Sequence, residues 1–134
     1  MPQLNAVAAP QLTPVRILVA EDEPLIRDTI AEELRTLGAV VIEAATAGEA
    51  WDYFAAGGRA DLVFTDHRMP GEMTGAQLAI RIRTLYPLVK IILTSGTCGA
   101  QEWPGPILRK PYLPGETATS LVELALQGRT DGTG

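Results

Sequence analysis

Acidic and polar residues stand at four separated places in this chain, in types that could act together on phosphate. The segment Glu21–Glu23 is wholly acidic, and Asp66, Ser95 and Lys110 follow later apolar runs. Carboxylates a few ångströms apart repel one another, and one tends to protonate unless a cation intervenes. Mg²⁺ prefers oxygen ligands and commonly binds one or two carboxylates together with a phosphate oxygen. Because an aspartate can also attack phosphorus, these residues could perform metal-assisted phosphoryl transfer.

The alternation of apolar and polar segments predicts how these side chains meet. Short apolar runs alternate with helical patterns between residues 14 and 127. Strands that are apolar nearly throughout are buried on both faces, and strict strand–helix alternation gives a parallel, doubly wound sheet. We therefore predict an α/β fold with a five-stranded parallel sheet in the flavodoxin-like order 2-1-3-4-5. In such sheets the working site lies beyond the carboxyl ends of the strands, where these residues stand.

The predicted elements leave a segment at each end of one domain. The strands are expected at 15–20, 40–42, 62–65, 90–94 and 107–108. The helices are expected at 24–37, 47–56, 75–86 and 114–127, with Pro24 in a first turn, Thr46 as an N-cap and Gly38 as a C-terminal cap. Residues 1–13 are expected to form a flexible N-terminal arm, 14–127 the domain, and 128–134 a flexible C-terminal tail.

The connection between the fourth and fifth strands is unusually short. It has eleven residues, from Gly96 to Pro106, and is rich in glycine and proline. A parallel crossover usually needs a dozen or more residues and a helix. Since only residues 98–103 could coil, for about one and a half turns, the fourth helix is predicted to be shortened or missing.

Composition excludes several classes of function. The chain has 134 residues and a formal net charge of -5, which argues against broad binding to nucleic acid or anionic lipid. No apolar run is long enough to span a bilayer. The single cysteine, Cys98, cannot form an internal disulfide, so a reducing, cytoplasmic location is expected.

Four segments, each following its own predicted strand, resemble in order and spacing the signature segments of bacterial receiver domains. These domains are the phosphoacceptor units of two-component response regulators. The segments are residues 19–24, 64–71, 93–96 and 109–112. The resemblance covers about residues 14 to 127. It implies a single-domain response regulator that acts as a phosphoacceptor switch, with self-phosphorylation and autodephosphorylation as its only intrinsic chemistry.

The resemblance also implies roles at the acidic positions. Asp66 would accept a phosphoryl group from a phosphohistidine. Asp22 and Asp66 would bind Mg²⁺ directly, together with the backbone carbonyl of Arg68, and Glu21 would assist through a water molecule. Arg68 could also influence how water reaches the acyl phosphate. The neighbouring His67 is expected on a solvent-facing loop.

The later strands supply the remaining implied roles. Ser95 would be the switch hydroxyl, because a small residue then follows it, and Thr94 remains the alternative. Lys110 would contact the phosphoryl oxygens, and its bond to Pro111 would be cis. Ile107 stands where the family often places an aromatic switch residue, so the usual rotation of that aromatic ring is not available here.

Partners follow from the same resemblance. A sensor histidine kinase or a histidine phosphotransfer protein is implied upstream, and a downstream protein contact or a phosphate sink is implied as output. The shortened connection and Ile107 fall on the face that receivers use for partners or dimers, so a weak homodimer is also considered.

Three other functions remain open on the residues. A degenerate receiver could serve as a phosphate-independent protein-interaction scaffold. A flavodoxin-like carrier of a flavin phosphate fits the topology, but its phosphate loop is normally rich in Gly, Ser or Thr, whereas Glu21–Glu23 repels phosphate. A turnover hydrolase that forms an aspartyl phosphate usually carries a second aspartate two residues after the nucleophile, where this chain has Arg68.

Overall fold

The computed structural model describes residues 13–96 and 103–133, with side chains described as far as residue 127. The five strands are β1 (Arg16–Ala20), β2 (Val40–Ala44), β3 (Leu62–Asp66), β4 (Lys90–Ser95) and β5 (Ile107–Arg109). The four helices of the described chain are α1 (Pro24–Thr36), α2 (Ala47–Ala55), α3 (Gly75–Leu85) and α4 (Pro114–Thr133).

All five strands run parallel in one sheet, in the order β2-β1-β3-β4-β5. The predicted fold and strand order are therefore confirmed. β3 lies at the centre, and every one of its residues is buried, including Asp66 at its carboxyl end. This position follows from the apolar sequence of β3, which only a strand covered on both faces can bury.

Two hydrophobic clusters fill the space on either side of the sheet. One cluster joins β1, β3 and β4 to α2 and α3, and Phe54 and Ile82 are among its buried members. The other joins the opposite sheet face to α1 and α4 and includes Ile30 and Leu121. Successive strand residues point to opposite faces, so each strand contributes to both clusters and is held from both sides.

Local signals fix where the helices begin and end. Pro24 is the first residue of α1, and Gly38 follows the helix with a φ of 93°. The side chain of Thr46 caps α2 by accepting a hydrogen bond from the backbone N–H of Glu49 at 3.0 Å. These three positions were predicted from the sequence, and the described geometry confirms them.

The last helix is longer than the sequence predicted. α4 runs to Thr133, whereas the prediction ended it at Gln127 and began a flexible tail at Gly128. A glycine inside a helix costs roughly 1 kcal/mol relative to alanine but does not by itself end the helix. Glycine ends helices where it adopts positive φ, as Gly38 and Gly57 do. The predicted N-terminal arm, apart from Thr13, lies outside the described residues.

No helix occurs in the described parts of the β4–β5 connection, which are Gly96 and residues 103–106. The described fold is thus consistent with the predicted loss of the fourth helix, although residues 97–102 lie outside the described residues. Trp103 is buried in the cluster shared with α2 and α3. Its ring packs on Gly105, its indole N–H donates to the carbonyl of Pro106 at 3.1 Å, and the guanidinium of Arg83 lies 4.7 Å from its centroid. A single tryptophan therefore fills apolar space beside the shortened connection.

Candidate functional site

Three carboxylates meet at the carboxyl edge of the sheet. Glu21 and Asp22 follow β1, and Asp66 ends the adjacent strand β3. One oxygen from each of the three carboxylates lies within 4.8 Å of the others. Glu21 is 3% and Asp66 8% exposed, while Asp22 is only half-buried. The arrangement concentrates negative charge where the protein gives it little access to water.

Lys110 reaches the same place from the end of β5. Its ammonium nitrogen lies 3.2 Å from Asp66 Oδ2 and 3.3 Å from Glu21 Oε1. The backbone N–H of Lys110 donates to the carbonyl of Ser95 at 2.9 Å, which carries the β4–β5 pairing up to the site. The peptide bond between Lys110 and Pro111 is cis. One ammonium thus contacts two of the three carboxylates.

Burial dominates the electrostatics of Glu21 and Asp66. Burial raises the pKa of Asp66 above its ordinary value, and the charge and hydrogen bond of Lys110 act against that rise. Burial likewise raises the pKa of Glu21, with a hydrogen bond from the Glu23 backbone acting against it and the Asp66 charge adding to it. Burial opposes protonation of Lys110, yet the charges of Asp66 and Glu21 outweigh it and raise its pKa. Lys110 therefore remains cationic at neutral pH, and the two buried carboxylates favour any further cation.

The backbone around Asp66 is held on both sides. Asp66 Oδ1 accepts a hydrogen bond from the backbone N–H of His67 at 2.9 Å, and the same N–H lies 3.0 Å from the carbonyl of Thr94. The carbonyl of His67 accepts from the N–H of Gly75 at the start of α3, at 2.8 Å. His67 is 7% exposed, so the prediction of a solvent-facing loop histidine was wrong. Strand pairing continues one residue beyond β3, and α3 covers that residue.

The two hydroxyl residues at the end of β4 point to opposite faces of the sheet. Thr94 pairs in register with Asp66 and shares a face with Ile92. Ser95 falls on the other face, with the cluster that contains Leu93 and Ile107. Both hydroxyl residues are buried. Ser95 and Ile107 therefore lie on one face of the sheet and Thr94 on the other, and the switch role of either hydroxyl stays a prediction.

Two further predicted residues have contrasting surroundings. Arg68 is exposed in the turn after β3, so its side chain is available to water and to partners, and the role of its carbonyl stays a prediction. Ile107 is half-buried and packs against the cluster shared with α2 and α3. An aliphatic side chain therefore occupies the position at which the family often has an aromatic residue.

Sequence reasoning missed two residues beside the acidic groups. Tyr112 packs edge-on against Phe64 with ring centroids 5.5 Å apart, and burial, followed by the charges of Glu21 and Asp66, raises its pKa to about 12. Arg27 on α1 donates from Nη1 to the backbone carbonyl of Glu21 at 2.8 Å. An aromatic residue after the Lys-Pro pair was visible in the sequence, but the contact of Arg27 depends on how α1 packs.

The site has the donor chemistry of a site for a hard divalent cation. Its carboxylate oxygens are hard ligands, and Mg²⁺ typically takes one or two protein carboxylates together with waters and phosphate oxygens. Burial raises the pKa of both Glu21 and Asp66 because it disfavours the charged form. A divalent cation nearby favours the charged form and so opposes that effect. Glu21, Asp22 and Asp66 therefore fit a divalent metal ion, with Lys110 left to contact a bound anion.

Known proteins are similar to this chain in sequence and in fold. Residues 17–102 match the family described as response regulator receiver domain. The chain is 34% identical over 121 residues to the DNA-binding transcriptional regulator NtrC of Azospirillum brasilense, an alignment that covers 85% of this chain and 24% of that protein. It is 35% identical over 91 residues to the probable transcriptional regulatory protein NarL of Mycobacterium tuberculosis, covering 64% of this chain and 40% of that protein. The chain spans less than half the length of these two relatives.

Solved structures agree with the sequence relatives. A CheY-like receiver domain protein from Methanospirillum hungatei JF-1 superposes with a TM-score of 0.80 at 24% identity, covering 89% of this chain and 99% of that one. A receiver protein from Sinorhizobium medicae WSM419 gives 0.76 at 27% identity, covering 86% and 97%. The doubly wound fold and its acidic edge thus define a receiver domain of two-component signalling. The chain belongs to the response regulator receiver domain family.

The matched residues carry only part of the site. They include Asp22, Asp66 and Ser95 but end before Lys110. The place of Lys110 in the site therefore rests on its contacts with Asp66 and Glu21. The helices within residues 13–96 and 103–133 are each too short or too polar to span a bilayer.

Proposed function

We propose that this domain is a phosphorylation switch in which Asp66 accepts a phosphoryl group from a phosphohistidine. A carboxylate oxygen of Asp66 attacks phosphorus, the new P–O bond forms as the P–N bond breaks, and the bonding electron pair stays on the donor imidazole. The product is an acyl phosphate on Asp66. The domain acts here as a phosphoacceptor, and its only catalysis is of its own phosphorylation and dephosphorylation.

The observation that carries the proposal is the contact between Asp66 and Lys110 inside the carboxylate cluster. The ammonium lies 3.2 Å from Asp66 Oδ2, close enough to neutralise charge on a group attached to that carboxylate. Phosphoryl transfer needs positioning and charge stabilisation more than covalent chemistry from the protein. A buried carboxylate beside one ammonium and two further carboxylates meets both needs once a metal ion balances the charge.

Magnesium is part of the proposal. Asp22 and Asp66 would hold the ion, with the backbone carbonyl of Arg68, and Glu21 would act through water. When bound, Mg²⁺ would shield the negative charges of the acceptor and the phosphodonor from each other. Ser95 would donate a hydrogen bond to a phosphoryl oxygen, and Lys110 would contact another. Thr94 remains the alternative hydroxyl, and Arg68 would modulate how water reaches the acyl phosphate.

The proposal also covers partners and output. The phosphodonor would be a sensor histidine kinase or a histidine phosphotransfer protein in the cytoplasm. Output would pass through contacts with another protein, or phosphate would simply be withdrawn from a relay, as in a single-domain regulator. Direct binding to nucleic acid is not proposed, because the net charge of -5 gives no broad basic surface.

Intact-mass measurement tests this function. Wild type and Asp66→Asn would be incubated with acetyl phosphate, with Mg²⁺ or with a chelator. We expect one phosphate adduct on wild type in Mg²⁺ and none with chelator or on the variant. Asp61→Asn is the matched control, because this carboxylate accepts a hydrogen bond from Arg16 away from the cluster. An adduct that persists in Asp66→Asn would exclude Asp66 as the acceptor.

A phosphate-independent scaffold is the second candidate, and Ile107 favours it. An aliphatic residue at this half-buried position cannot report the state of Ser95 by ring rotation. If the scaffold function is right, a partner would bind Asp66→Ala and wild type equally, with or without acetyl phosphate. If the switch is right, binding would change on phosphorylation of wild type alone.

A further inference from the structure

The loop between β1 and α1 is tied down at both backbone groups of Glu21. Its N–H donates to the carbonyl of Ala44 at the end of β2, at 3.0 Å. Its carbonyl accepts a hydrogen bond from Arg27 Nη1 at 2.8 Å. Because the peptide unit is planar, fixing this carbonyl also limits the orientation of Asp22. These two hydrogen bonds thus restrict the positions of both Glu21 and Asp22.

Arg27 is itself held in place by a residue of β2. Its Nε lies 3.2 Å from Glu43 Oε1, and the side chain of Arg27 is only 18% exposed. A guanidinium presents its donors in a rigid planar fork, so the bond to Glu43 sets the direction of the bond to Glu21. The end of β2 therefore orients the loop twice, directly through Ala44 and indirectly through Glu43 and Arg27.

We propose that Arg27 is a positioning residue for the metal site, holding the Glu21 carbonyl so that Glu21 and Asp22 face the cation with Asp66. This inference rests on the proposed function, since it assumes that the carboxylate cluster binds Mg²⁺. Arg27 does not touch the metal or the phosphoryl group. Its effect is to fix a loop of three consecutive acidic residues, whose mutual repulsion would otherwise spread the carboxylates apart.

A purely structural role is the competing explanation, and Arg35 separates the two. Arg35 Nη2 lies 3.0 Å from Glu43 Oε2, so it makes the same kind of ion pair with the same glutamate. Its guanidinium also donates a hydrogen bond to the carbonyl of Val41, away from the acidic loop. Arg35→Gln thus removes an ion pair between α1 and β2 but leaves the hydrogen bond from Arg27 to the Glu21 carbonyl in place.

Mg²⁺ titration by calorimetry on wild type, Arg27→Gln, Arg27→Lys and Arg35→Gln tests the inference. Outer groups that orient metal ligands are typically worth about 10–100-fold in metal affinity, so Arg27→Gln is expected to weaken Mg²⁺ binding about tenfold. Arg27→Lys can keep one of the two bonds and should fall between wild type and Arg27→Gln. Arg35→Gln should bind Mg²⁺ as wild type does.

A second readout distinguishes positioning from damage to the chemistry. Phosphate-adduct formation with acetyl phosphate should be slow in Arg27→Gln at limiting Mg²⁺ and return to the wild-type rate at saturating Mg²⁺. Thermal unfolding without metal would show that each variant is folded. Should Arg27→Gln fail to fold, Arg27→Lys takes its place and should still bind Mg²⁺ more weakly than Arg35→Gln does.

The outcomes separate this inference from the proposed function. Equal Mg²⁺ affinity in wild type and Arg27→Gln would overturn the positioning role while leaving the metal site intact. Equal losses in Arg27→Gln and Arg35→Gln would also overturn it, because the Glu43 cluster as a whole would then be responsible. A wild-type protein that binds no Mg²⁺ would overturn both the metal site and the role of Arg27.

Discussion

Asp66 combines burial, which opposes its ionisation, with an ion pair to Lys110, which favours it. Burial prevails, so the pKa of Asp66 is raised in the folded protein. The folded state then holds its proton to higher pH than the unfolded chain does. The contribution of Asp66 to stability is therefore present at acid pH and is lost as the pH rises through the folded pKa. At neutral pH the ionised carboxylate weakens the fold, as functional groups often do.

Asp66→Asn is accordingly expected to raise the free energy of unfolding by about 1 kcal/mol at neutral pH without metal. The gain should shrink as the pH falls through the raised pKa of Asp66, because wild type then becomes neutral there as well. Urea unfolding at neutral and mildly acidic pH measures both effects. Asp52→Asn, on the exposed face of α2, is the control and should change little. A variant less stable than wild type at neutral pH would contradict this reading.

Thr94 offers a second test at the scale of one residue. Its hydroxyl oxygen is buried and has no hydrogen-bond partner in the described part of the chain. A buried polar atom without a partner costs about 1–3 kcal/mol, so Thr94→Val is expected to stabilise the protein by about 1 kcal/mol in chemical denaturation. Thr65→Val is the matched control, because the buried hydroxyl of Thr65 donates to the carbonyl of Asp66 at 2.9 Å. That variant should lose stability, and a loss in Thr94→Val would mean that its hydroxyl is satisfied.

At the scale of elements, the position of α3 depends on a glycine. Gly75 opens the helix, and a Cβ atom there would collide with the backbone carbonyl of Asp66. The close approach lets the N–H of Gly75 bond to the carbonyl of His67. The capping box of Thr74 and Gln77 fixes the same turn. The start of α3 therefore packs directly on the backbone of Asp66, the proposed phosphoacceptor.

Gly75→Ala is expected to push α3 away from β3, at a cost of about 2 kcal/mol or more in stability. The shift should also slow phosphate-adduct formation, because Asp66 moves with its backbone. Gly48→Ala in α2 is the matched control, since its Cβ would meet nothing closer than Thr46 Oγ1 at 3.7 Å. It should be neutral or slightly stabilising, as alanine favours helix. Chemical denaturation and intact-mass kinetics on both variants test this prediction. Equal stability and equal adduct rates in the two variants would show that position 75 accepts a Cβ atom without displacing α3.

The apolar face of α1 is buried at its centre and exposed at its ends. Apolar residues at helical spacing run from Ile26 to Leu37, yet the buried residues are Ile30, Ala31 and Leu34. Ile26 is 37% and Leu37 47% exposed. The 3.6-residue period identifies the direction of a face, but the 13 residues of α1 span about 20 Å, whereas the five residues of β1 span about 17 Å. Residues at the helix ends therefore extend past the core.

Metal binding should be visible in the stability of the whole molecule. A ligand that binds only the folded state stabilises it by about 2.7 kcal/mol at a hundredfold excess over its dissociation constant. Adding Mg²⁺ is therefore expected to raise the Tm of wild type, and a chelator should reverse the rise. Asp66→Asn should respond less, because it lacks one ligand of the cluster, and NaCl at matched ionic strength controls for screening. Equal Tm values with and without Mg²⁺ would count against a metal site.

The sequence by itself determined the fold class, the strand order and the residues that meet at the sheet edge. It could do so because buried parallel strands have nearly continuous apolar sequences. In addition, functional residues in such folds follow the carboxyl ends of the strands. Asp66 and Lys110 are 44 positions apart, yet each follows its own strand and both reach one place.

Only the tertiary structure decided the burial of His67, the contact of Arg27 with the Glu21 carbonyl and the approach of Gly75 to Asp66. Each depends on how closely a helix packs against the sheet. Periodicity gives the face that a helix buries. The position of the helix on the sheet follows from the close packing of many side chains at once, which no local pattern in the sequence records.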